Sequence, residues 1–222
     1  MSLGWIGLGG IVGLFAAAAI RNLALARATN GTFRGRRWLP FAGAGSSALP
    51  AILFELGVGL YFALLVGRHG DDPGRVITVM LFAVPLLVLL LVDAWTRLIH
   101  TNLIAGGLGL GLIAAAFAGW PDLGRAIAGG LAGLAVFGLF YLVAEFISRR
   151  VRVVPFGLGD VYLAAMIGTM VRFDRVFFAL FAGVLLAALA SVALLLTRRF
   201  GARQPISFGP YLCAGALAAL VV

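Results

Sequence analysis

"LFAVPLLVLLLVD", Leu81 to Asp93, is an unbroken apolar run closed by a carboxylate. It shows no strand-like alternation of polar and apolar residues. With the residues before it, the run approaches the roughly 20 residues that cross a bilayer as helix. A transmembrane barrel would need alternating segments of about ten residues, so the fold expected is helical. The composition agrees: 63% of the 222 residues are hydrophobic and only 11% are charged, with a mean hydropathy of +1.11. Soluble domains are about half apolar and about a quarter charged. An all-α polytopic membrane protein is therefore expected.

Working outward from that run gives eight membrane helices, at about 3–20, 48–67, 76–93, 101–119, 126–147, 160–171, 176–196 and 206–222. The net charge is +9 and all 17 basic residues are arginine. Such a balance can mark a nucleic-acid binder, but in a membrane chain it points to arginine-rich cytoplasmic loops. Alternate loops carry 12 and 5 arginines, the five being Arg68, Arg75, Arg125, Arg172 and Arg175. The richer side is expected to be cytoplasmic, which puts both termini outside. No partner nucleic acid is expected. The first apolar run has no basic segment before it and is expected to stay as a helix. Residues 1–222 read as one membrane domain with a short cytoplasmic loop at 21–47. The single cysteine, Cys213, excludes an internal disulfide and a cysteine zinc cluster, and reads as a small buried hydrophobe.

Eight acids remain to be placed. Asp71, Asp72, Asp122 and Asp174 fall in the outer loops as solvated charges. Glu145 precedes Arg149 by one helical turn and suits an ion pair with it. Glu55, in "ILFELGVGL", reads as an unpaired acid on an apolar helix, able to hydrogen-bond inside the bundle or to assist a site. Asp93 and Asp160 each sit at a helix edge on an apolar background. Two helices separate them, and two crossings return the chain to the same face, here the cytoplasmic one. Carboxylates so close to lipid are costly and are functional candidates.

Two readings stay open for these two aspartates. In "PFGLGDVYLAAMIG", Pro155 to Gly168, Asp160 can cap a helix. Asp93 can cap the fourth helix or pair with Arg97. Alternatively, the two form an aspartic dyad that shares a proton, one carboxylate activating water while the other polarises a peptide carbonyl. Gly157 and Gly159 would then admit a peptide backbone or take up angles closed to other residues. His100, seven residues after Asp93, lies within reach of such a site. A metal held by His100 and both aspartates is the minor reading, and no metal is expected. Ser191 stands alone, and neither HExxH nor GxSxG occurs. A transporter or channel using intramembrane carboxylates is the alternative function, and a non-catalytic assembly homologue a third.

Four stretches carry a family resemblance. "GLGD" (Gly157 to Asp160) matches the GxGD motif of the type IV prepilin leader peptidases, which are membrane aspartic proteases. "VDAWTRLIHTNLIAGG" from Val92, "ISFGPYLCAGALAAL" from Ile206 and "ILFELGVGLYFALLVGRHG" from Ile52 resemble further family segments. Together they cover the chain from about residue 50 onward. The resemblance implies Asp93 and Asp160 as the catalytic pair. It also implies a multi-pass protein of the inner membrane that cuts the leader from a prepilin or pseudopilin at the cytoplasmic face without a cofactor. The chain departs from the family in places. His100-Thr101 stands where Pro-Asn is usual, and the proline before Glu55 is displaced to Pro50. Loop 21–47 lacks the zinc-binding cysteines of many members. S-adenosylmethionine enters only if those members' N-methylation is retained. "FRGRRWLP", Phe33 to Pro40, is expected as a lid or surface anchor.

Overall fold

The computed structural model describes residues 3–28, 48–96, 101–151, 157–196 and 207–222. Among these residues the chain is entirely helical: α1 (Leu3–Ala28), α2 (Ala48–His69), α3 (Pro73–Thr96), α4 (Thr101–Phe117), α5 (Leu123–Val151), α6 (Leu158–Val171), α7 (Phe173–Leu196) and α8 (Gly209–Val221). Five of them (α1, α2, α3, α5, α7) are long and apolar enough to cross a membrane, while α4, α6 and α8 are shorter apolar helices. The eight expected helices are all present. The expected start of the first loop at residue 21 is corrected, because α1 continues to Ala28. "RNLALARA" contains strong helix formers and no breaker. Residues 29–47, with the expected lid "FRGRRWLP", lie outside the described residues.

Local chemistry sets the helix ends. Pro73 opens α3, and Asp72 Oδ1 accepts the Arg75 backbone N–H at 3.1 Å. Asp122 Oδ1 likewise accepts the Gly124 N–H at 3.0 Å at the start of α5. These are N-cap arrangements. They use two acids expected to be merely solvated. Gly119, at φ 69°, turns the chain after α4, a conformation glycine adopts without cost.

The connections 70–72, 118–122 and 172 gather at one end of the bundle. Cross-chain contacts fix this arrangement: His69 reaches Leu220, and Arg75 and Arg172 both lie over Trp120. At the opposite end Ser207 reaches Asp93. Helix α6 is the central element, buried from Leu163 through Val171 and packed on α4, α5, α7 and α8. Small residues permit this packing. A Cβ on Gly129 would overlap the Gly168 carbonyl, and one on Gly168 would overlap that of Gly129; Gly133 meets Ala164 in the same way. Association between membrane helices depends on such close backbone approach. The interior is filled by Phe62, Phe82, Leu86, Leu163, Met166 and Leu212, while Leu60, Leu131, Phe140 and Phe181 point outward. An apolar exterior is what lipid requires.

Candidate active site

Three helix ends meet around two carboxylates. The apolar run of α3 carries Asp93 into its last turn, 2% exposed. Asp160 stands in the first turn of α6, 7% exposed. The N-terminus of α8 closes the site from the side of Ser207 and Gly209. Ser207 Oγ donates to Asp93 Oδ2 at 2.5 Å. The Gly209 backbone lies so close to that same oxygen that a Cβ would overlap it. Asp160 Oδ2 accepts the Gly157 N–H at 3.4 Å.

Each carboxylate therefore has one oxygen engaged by the protein. The other oxygen of each, Asp93 Oδ1 and Asp160 Oδ1, is buried without a hydrogen-bond partner among the described residues. Asp160 is within electrostatic reach of Asp93, and Cys213 of both. The N-termini of α6 and α8 present their positive dipole ends and orphan N–H groups here, which favours negative charge. Leaving a buried carboxylate oxygen unpaired is expensive, so two such oxygens at one end of the bundle offer a site for polar atoms from elsewhere. Such a pair can activate a water and polarise a carbonyl.

The structure brings Asp93 and Asp160 to one end, as helix parity requires. Several readings are corrected. Asp160 is not the N-cap: Gly157 is, and Asp160 lies three residues further in, reaching back to the Gly157 N–H. Asp93 does not cap α4, because α3 continues past it to Thr96. Arg97 and His100, and with them the His100 metal reading, lie outside the described residues. Gly157 takes extended angles (φ −99°, ψ 147°) open to any residue. Among the described residues, a Cβ there would make only ordinary contacts, with Asp160 Oδ2 at 3.7 Å and Gly159 N at 3.9 Å. Neither backbone strain nor a protein neighbour demands glycine at this exposed position. Gly159 is half-buried within the first turn of α6.

Glu55 is not unpaired. It is fully buried and forms an ion pair with Arg21, tying α2 to α1. Sequence reasoning placed Arg21 in a loop because it ended the first helix too early. It also missed Ser207 and Gly209. The available signal was a hydroxyl and a glycine in "ISFGPYL", at a helix start that parity places on the same side as Asp93. The Arg149 side chain, the expected partner of Glu145, lies outside the described residues.

Residues 80–192, half of the chain, match the type IV leader peptidase family. Neither a curated protein nor a solved structure matches the chain. The matched region includes both aspartates, the α3 end that carries one and the α6 start that carries the other, and by that match the chain belongs to the type IV leader peptidase family, whose members are integral membrane peptidases.

Proposed function

We propose that Asp93 and Asp160 are the catalytic dyad of a leader peptidase acting on prepilins or pseudopilins at the cytoplasmic face of the inner membrane. The observation carrying this reading is the pair of buried, unpartnered oxygens, Asp93 Oδ1 and Asp160 Oδ1. The pair shares one proton. The ionised carboxylate takes a proton from water as the water oxygen attacks the scissile carbonyl, and the protonated partner donates to the carbonyl oxygen. As the C–N bond breaks, the carboxyl that took the water's proton passes it to the leaving amine. Ser207 and the α8 N-terminus position the Asp93 carboxylate. The open side of Gly157 leaves room for the substrate backbone.

A cysteine zinc cluster cannot form, because the one cysteine of the sequence, Cys213, is buried in α8. Peptide hydrolysis needs no cofactor. A methyl group on the mature N-terminus would bring in S-adenosylmethionine, and the mass of the product reads that directly. The transporter reading called for acids at mid-bilayer on broken helices. Both aspartates instead occupy terminal turns, and the family is one of peptidases.

Co-expression with a prepilin, followed by the gel shift of the pilin, tests the proposal. Asp93→Asn and Asp160→Asn should each leave the precursor uncut. Normal processing by either single variant would refute the dyad.

A further inference from the structure

The end of the bundle opposite the aspartates gathers positive charge. Arg68 and His69 close α2, Arg75 lies in the first turn of α3, and Arg172 and Arg175 flank the start of α7. These groups act on one another: His69 feels Arg68, Arg75 and Arg175, and Arg175 feels Arg68, Arg75 and Arg172. The acids nearby are already occupied or solvated. Asp174 accepts from Arg172 Nε at 3.1 Å. Asp72 and Asp122 bind backbone N–H groups, and Asp71 is exposed. Among the described residues, no Asp or Glu carboxylate stands within ion-pair distance of Arg68, Arg75 or Arg175.

Part of this charge serves α8. His69 Nε2 lies 2.9 Å from the Leu220 carbonyl oxygen, and Arg175 and Arg68 donate to those of Ala219 at 3.4 Å and Val222 at 3.5 Å. Cations suit a helix C-terminus. Arg75 has no such duty. Its guanidinium carbon lies 4.9 Å from the centroid of Trp120, and that of Arg172 lies 5.9 Å from the same ring. Two N–H donors in this group, Arg75 Nε and Trp120 Nε1, are buried without a partner among the described residues. Buried donors cost free energy until they meet an acceptor, and guanidinium groups held this close repel until an anion joins them.

We propose that Arg75, Arg175 and the Trp120 N–H bind a phosphate-bearing anion at this end of the bundle. The fork of an arginine matches phosphate oxygens. A cluster of arginines at the ends of membrane helices, beside a tryptophan, suits the level of phospholipid phosphates. A lipid headgroup and free inorganic phosphate share this chemistry, and the experiment separates them.

The purified full chain in a neutral detergent is titrated with phosphatidylglycerol, with phosphatidylcholine of the same acyl chains, and with inorganic phosphate, and its thermal unfolding is followed. A saturable rise in Tm with phosphatidylglycerol beyond that with phosphatidylcholine identifies the lipid headgroup as ligand. A rise with inorganic phosphate that the lipid does not exceed identifies the free ion. The double variant Arg75→Gln/Arg175→Gln should weaken the response roughly tenfold or more. If the double variant does not fold, native mass spectrometry of the wild-type protein replaces it, with bound phosphatidylglycerol expected to fall as ionic strength rises. The proposal is overturned by equal responses to both lipids with none to phosphate, by an unchanged response in the double variant, or by bound lipid insensitive to salt.

Discussion

At one end of the bundle two carboxylates each keep an oxygen without a partner among the described residues; at the other, arginines and a histidine hold the carbonyls that finish α8. The same helices, α3, α6 and α8, run between both ends. At the acidic end the bonds hold one oxygen of each carboxylate and leave the other without a partner among the described residues. At the basic end the bonds tie helix termini together. In the proposed readings the acidic end serves reaction, and the basic end serves cohesion and charge recognition. The two should therefore fail differently under mutation.

The largest expected effect is on chemistry at the acidic end. Asp93→Asn and Asp160→Asn should lower cleavage by about a thousandfold or more while thermal unfolding changes little, since neither substitution removes a packing contact. A large stability loss in both would show the carboxylates to be structural and would dissolve the contrast. Next comes the ion pair that joins α1 and α2. Glu55→Leu takes this carboxylate from the partly buried Arg21, a loss of about 1–3 kcal/mol, read as a lowered Tm in detergent. The double change Arg21→Met/Glu55→Leu should recover much of it.

Gly209→Ala comes third. Its new methyl group would overlap Asp93 Oδ2, and overpacking of this kind costs about 1–3 kcal/mol. Cleavage assays should show a fall in kcat larger than the shift in stability. Ser207→Ala removes one hydrogen bond to Asp93, worth about 1.5–3 kcal/mol for a charged acceptor. It should reduce kcat with KM nearly unchanged, and Ser207→Thr should restore it. An unaltered kcat would remove Ser207 from the site. The smallest effect belongs to the basic end: His69→Ala loses the link to Leu220, about 1 kcal/mol. Its Tm should drop slightly, with the rate of cleavage untouched.

Much of this was legible before any coordinates. The apolar run ending in Asp93 and the glycines before Asp160 gave both carboxylates, and counting crossings put them on one side. The errors share a cause. Helix ends are set by caps that a hydropathy pattern does not register, so α1 was ended before Arg21 and Glu55 lost its partner. Asp160 looked like an N-cap because it follows a glycine, whereas the chain turns into helix earlier, at Gly157. Ser207 was invisible for a different reason. Its role depends on an oxygen 114 positions away in the chain, and no local spacing announces a contact of that range.

Helix α8 sets one further property. Its start, Gly209, packs on Asp93, and near its finish Leu220 is bound to His69. Eleven helical rises separate them, about 17 Å, against about 30 Å of hydrocarbon in an ordinary bilayer. Two charged termini joined by so short a strut cannot both reach the headgroups of a bilayer at full thickness. A helix this short is matched best by a bilayer that thins around it. Acyl-chain length thereby becomes a control on turnover: thinner bilayers should accelerate the enzyme, and thicker ones should slow it without touching a single side chain.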